Sequence, residues 1–156
     1  MPQDSQLKKA RDYAHLLLKF RPRSVDEVRK KLMKRGFSDY IIYDVVEDFR
    51  RHGLLDDIKF AKMWVQDRLN LKPMGSLRLR LELKAKGLVE ADIDDAIREA
   101  AKDTDEYELA KPIAAKRLRL MGGIDKLKRK KRVWDFLMRR GFTYDVVDKV
   151  VKEAVR

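Results

Sequence analysis

Three stretches of the chain superimpose around a glycine: KLMKRGFSDYIIYDVVEDF (Lys31 to Phe49), ELKAKGLVEADIDDAIREA (Glu82 to Ala100) and FLMRRGFTYDVVDKVVKEA (Phe136 to Ala154). A unit written three times constrains the fold before any chemistry is considered, because each copy has to pack in the same way. Eight residues before Gly36, Gly87 and Gly141 stand Val28, Leu79 and Val133, and four before stand Leu32, Leu83 and Leu137, which makes one apolar helical stripe. Directly after the glycines come Phe37, Leu88 and Phe142, assigned to the core. A second stripe follows at Ile42/Val45/Val46/Phe49, Ile93/Ala96/Ile97/Ala100 and Val147/Val150/Val151/Ala154. The glycine supplies the left-handed conformation that closes a helix, so each copy reads as helix, turn, helix.

An upstream helix completes each unit. Leu7, Ala10, Ala14, Leu17 and Leu18 share a face before Pro22, as do Phe60, Ala61, Trp64, Val65 and Leu69 before Pro73. In the third copy Leu109, Ile113, Leu118 and Met121 are less regular; Pro112 either starts or kinks the helix, and Gly122-Gly123 ends it. The expected architecture is all-α: a flexible N-terminus over residues 1–4, then three tandem three-helix repeats at 5–53, 56–103 and 105–156, forming an elongated, curved array. Local signals agree: Ser24-Val-Asp-Glu27 is a capping box, Ser38 and Thr143 stand as N-caps, and Gly53 is a helix stop.

Charge is distributed unevenly over this frame. Residues 1–55 carry 13 Lys/Arg against 8 Asp/Glu, residues 56–104 carry 10 against 10, and residues 105–156 carry 15 against 8. An excess of cations implies an anionic partner, nucleic acid or an acidic protein surface. The second helices hold the cations and predict a basic stripe of Arg29, Lys34, Arg35, Arg78, Arg80, Lys84, Arg129, Lys131, Arg132, Arg139 and Arg140. The third helices carry the opposite sign, through Asp39, Asp44, Glu47, Asp48, Glu90, Asp92, Asp94, Asp95, Glu99, Asp145, Asp148 and Glu153. A helix-turn-helix reader would insert that acidic helix into a phosphate-lined groove, so sequence-specific readout of this kind is disfavoured. Sequence-independent contact of the basic helices with phosphates remains open.

Catalysis finds no foothold. His15 and His52 lie in different helices with no partner at a diagnostic spacing, Gly122-Gly123 lacks the rest of a phosphate loop, and there is no cysteine. No metal or cofactor is implied, and Asp56-Asp57 reads as a cap and favourable charge at a helix N-terminus. No segment is apolar enough to cross a membrane, and residues 1–6 have neither the basic leader nor the apolar core of a signal peptide, so a cytoplasmic location is expected; a monomer is expected as well.

The run Gly53-Leu-Leu-Asp-Asp-Ile-Lys-Phe-Ala61, with Arg68, Gly75, Arg78, Glu82-Leu83 and Lys86-Gly87-Leu88 downstream, resembles the central signature of the RecX family, regulators of the RecA recombinase. The resemblance spans nearly the whole chain and shares its three-repeat plan, with the third unit matching least well. It implies a binding protein, not an enzyme: one that binds the RecA filament on single-stranded DNA, lies in its groove and inhibits strand exchange, ATP hydrolysis and the co-protease activity behind the SOS response. Gly53, Asp56, Asp57, Phe60, Gly75 and Gly87 are then mostly structural motif residues. The resemblance leaves open which charged face meets which partner: the basic stripe could face DNA within the filament or an acidic RecA surface, and the acidic third helices could meet basic patches of RecA. The alternative is a sequence-nonspecific nucleic-acid-binding protein that acts without RecA.

Overall fold

A computed structural model describes residues 2–156. Among these residues there are nine helices and no strand: α1 (Pro2–Phe20), α2 (Val25–Lys34), α3 (Asp39–Arg51), α4 (Asp57–Leu71), α5 (Ser76–Ala85), α6 (Glu90–Ala101), α7 (Glu106–Arg119), α8 (Lys126–Arg139) and α9 (Tyr144–Ala154). They form three successive bundles, and in each the first and third helices make the closest pair. Helix α1 starts at Pro2, so residues 2–4, expected to precede the first helix, belong to it; Met1 lies outside the described residues. Pro112 neither starts nor ends α7, which runs through it from an Asp105 cap.

Each bundle has its own apolar core, and the stripes around the glycines supply it. Leu32, Leu83 and Leu137 are fully buried at the same place in each copy. A leucine buried in this way contributes about 1.5–3 kcal/mol. Gly36, Gly87 and Gly141 all adopt positive φ, 90°, 83° and 86°, as a left-handed helix closure requires. The Ser24 capping box forms in full, and Ser38 accepts from the Ile41 amide, but Thr143 makes no side-chain cap bond.

Neighbouring bundles meet at two seams that repeat one design. The N-terminus of a second helix is set against the glycine turn and the first helix of the bundle that follows. At the first seam Ser24 Oγ donates to the Lys86 carbonyl (2.7 Å) and the Val25 amide donates to Asp57 Oδ1 (2.9 Å). At the second, the Gly75 amide donates to the Arg140 carbonyl (2.9 Å) and the Ser76 amide to Glu106 Oε1 (2.5 Å). Val25 and Ser76 open their helices, as Asp57 and Glu106 open theirs. The seams therefore satisfy helix-end amides and carbonyls that have no intrahelical partner, and they set the positive end of one helix against the negative end of the next.

The same geometry corrects one core expectation. Leu88 and Phe142 are buried, but Phe37 is only partly buried: Asp26 and Arg78 of the preceding bundle lie against the turns at Gly87 and Gly141, and nothing among the described residues covers the Gly36 turn in that way. A Cβ on Gly87 would overlap the Asp26 side chain and one on Gly141 would overlap Arg78, whereas one on Gly36 would meet open space.

Candidate functional site

The motif residues occupy structural places. Gly53 follows α3 with φ 73°, Asp56 caps α4 by accepting from the Ile58 and Lys59 amides, and Phe60 is buried. Gly75 is so close to Gly141 that a Cβ on it would overlap the Gly141 carbonyl. Asp57 does more than the helix-end charge expected of it, since its carboxylate holds the α2 amide across the first seam. Burial pushes its carboxyl above the ordinary value even though the Val25 amide pulls the other way.

The predicted basic stripe is not continuous. In the middle bundle its cations are held internally: Arg80 pairs with Asp94 and lies 3.7 Å from Glu90, and Lys84 lies 3.9 Å from Glu90. Arg78 donates to the Arg139 carbonyl (3.2 Å) and lies 3.9 Å from Glu82. Arg140, assigned to the stripe, instead donates through Nε and Nη2 to the Pro73 carbonyl (3.2 and 2.7 Å). Burial, with the neighbouring Arg78 charge, holds the Arg140 guanidinium below its usual value. Arg35 lies over the Tyr13 ring, 4.1 Å from its centroid, and Lys131 pairs with Asp135 at 2.9 Å. Of the α6 carboxylates expected to meet a partner, Glu90 and Asp94 pair with α5, while Asp95 pairs with Arg98 and Glu99 with Lys102.

Among the described residues the second helices of the two outer bundles, unlike α5, keep several cations without a carboxylate partner. On α2 they are Arg29, Lys31, Lys34 and Arg35. The larger group is in the third bundle, where the last turn of α7 brings Lys116, Arg117 and Arg119 and the start of α8 brings Lys126, Lys128, Arg129, Lys130 and Arg132. Six residues, 120–125, join the two helix ends. The α8 N-terminus is capped by Asp125, whose carboxylate accepts from the Leu127 amide (3.0 Å), and the cations around it far outnumber that one carboxylate. Arg129 Nε is buried without a partner. Lys116, Arg117 and Arg119 were missed because their signal, a run of basic residues before a double glycine, lies on a first helix.

Other chemistry is absent from the described residues: no group of three or more His, Cys, Asp or Glu is placed to hold a metal, and no helix is long and apolar enough to cross a membrane. His15 packs on Phe49 with ring centroids 4.6 Å apart, and His52 Nδ1 lies 2.7 Å from the Asp48 carbonyl.

Comparison with known proteins places this geometry. Models of the first, second and third three-helix domains of RecX match residues 10–49, 56–97 and 103–151. The regulatory protein RecX of Chlorobium phaeobacteroides is 35% identical over 98% of both chains, and that of Prosthecochloris aestuarii is 34% identical over 97% of both. The crystal structure of RecX from Lactobacillus salivarius shares the fold with a TM-score of 0.85 at 22% identity, covering 97% of each chain. With all three bundles matched in order and relatives aligned almost end to end, the chain belongs to the RecX family.

Proposed function

We propose that this chain is a cytoplasmic regulatory protein that binds the RecA filament on single-stranded DNA and lowers its recombinase, ATPase and co-protease activities, acting in recombination, repair and the SOS response. Family membership supports the partner, and one observation carries the contact: the unneutralised cations of the α7–α8 hairpin. A polyanion displaces counterions there without breaking internal ion pairs, unlike at α5, where Arg80 and Lys84 already have partners. The tandem bundles let one chain touch successive protomers of a filament, so that modest contacts combine. The protein acts as a monomer and by binding, with no catalytic step of its own.

The test is RecA's DNA-dependent ATPase with this protein added well below the concentration of DNA sites. Inhibition at such ratios is expected. Inhibition only once DNA is saturated would instead favour RecA-independent nucleic-acid binding. Replacing Lys116, Arg119 and Arg132 by Glu is expected to weaken binding and, with about 0.7 counterion released per phosphate on a single strand, to flatten the log–log salt slope by about 2. Unchanged binding across salt concentrations would remove the hairpin from the contact.

A further inference from the structure

Helix α5 differs from its two counterparts on the face that points away from its own core. Leu77, Leu81 and Ala85 form an outward stripe at spacing i, i+4, i+8, and Leu81 is 69% exposed. The equivalent positions of α2 are Asp26, Lys30 and Lys34, and those of α8 are Lys131, Asp135 and Arg139. Both of those stripes carry an ion pair of 2.9 Å, Lys30 with Asp26 and Lys131 with Asp135. The repeat therefore folds with charge at these sites, and the leucines of α5 are not demanded by packing. Across the second seam Met138 continues the apolar floor, where the first seam has Lys84. Arg78 and Arg139 also line it; Arg78 donates to the Arg139 carbonyl and lies 3.9 Å from Glu82, which leaves the exposed Arg139 as the cation without a carboxylate partner among the described residues. The one carboxylate there, Glu82, is already engaged by Arg68 (3.1 Å) and Trp64 Nε1 (3.0 Å).

We propose that this groove between α5 and α8 docks an acidic, amphipathic segment of the filament protein, its apolar side chains on Leu77, Leu81 and Met138 and a carboxylate on Arg139. The proposal rests on the filament-binding function above. Charge complementarity selects the occupant: the rim is cationic and the floor apolar. A nucleic acid would find phosphate contacts on the rim but no aromatic face for its bases on the floor. The two surfaces then divide the work, the α7–α8 hairpin meeting phosphates and the α5–α8 groove meeting protein.

The test compares wild type with the Leu77→Ser/Leu81→Ser double variant for binding to RecA-coated single-stranded DNA and to the same DNA bare, with Leu81→Met as the conservative control. Because both leucines are exposed, helicity by circular dichroism is expected to match wild type. Filament affinity should fall at least tenfold in the double variant, hold in Leu81→Met, and bare-DNA affinity should not change. Equal filament binding by wild type and double variant overturns the groove alone, and an equal loss on bare DNA does the same. Wild-type dimers that dissociate in the double variant would assign the groove to self-association and overturn the proposal. No filament binding by wild type overturns both the groove and the function on which it rests.

Discussion

At the first seam a side chain makes the bond to the next bundle, Ser24 Oγ to Lys86, while at the second the backbone of Gly75 makes the equivalent bond to Arg140. The first seam also gathers ionisable groups: Asp57 on the Val25 amide, and Glu27 held by Arg21 and lying 3.5 Å from Lys86. The second brings backbones together, adding a bond from the Leu77 amide to the Gly141 carbonyl (3.0 Å). Both seams set a carboxylate on a helix-end amide and a glycine where a Cβ would overlap, but the first adds the Glu27, Arg21 and Lys86 charges, and at the second the overlap is with backbone and not only with a side chain. The first should accordingly be the more sensitive to pH and the second to added volume.

The largest test of the comparison contrasts a covered turn with the uncovered one. Phe142→Ala should lower stability by about 3–5 kcal/mol in urea denaturation, as expected for a fully buried phenylalanine. Phe37→Ala should cost less, because part of that side chain already faces water. Equal losses would mean that the seam does not contribute to burial at Phe142.

A smaller contrast isolates the close approach. Gly36→Ala should cost only the left-handed backbone, about 1–2 kcal/mol. Gly141→Ala should cost about 1–3 kcal/mol more, since its Cβ runs into the α5 backbone at Arg78. If the two substitutions prove equal in the same denaturation assay, the bundles separate readily at the second seam.

The smallest effects are in the pH dependence of the first seam, and they have opposite signs. Burial raises the Glu27 carboxyl, but the Arg21 hydrogen bond, the Ser24 amide and the Lys86 charge outweigh it and leave the folded value below 4.5. Its stabilisation is present above pH 4.5 and lost as pH falls through the folded value. Asp57 is raised by burial above 3.8, so its contribution is fully present below pH 3.8 and lost as pH rises through the folded value. Urea midpoints measured from about pH 3 to 7 should therefore show Glu27→Gln losing most at the neutral end. Asp57→Asn should improve relative to wild type as pH rises. Parallel profiles for the two variants would contradict the assigned environments.

Helix stripes were readable because they are local: Val28 with Leu32, or Val147 with Val150 and Val151, fall on one face by the helical period alone. The second-helix stripes and the paired turns around Gly36, Gly87 and Gly141 followed from the same rule. The basic stripe did not, because the availability of a cation depends on its neighbours in space. Two arginines of equal charge, both on second helices, differ completely: Arg80 faces Asp94 of the next helix, whereas Arg132 faces no carboxylate.

Periodicity and the repeated glycine were enough to establish three helical bundles in tandem, since helix formation and amphipathic burial depend on residues within a few positions of each other. Tertiary structure decided which end of each bundle is covered, which cations are already paired and where leucines are left facing outward. Those outcomes arise from helix ends meeting across the seams, between residues such as Val25 and Asp57 that are distant in the chain, and no periodic pattern along one helix encodes them.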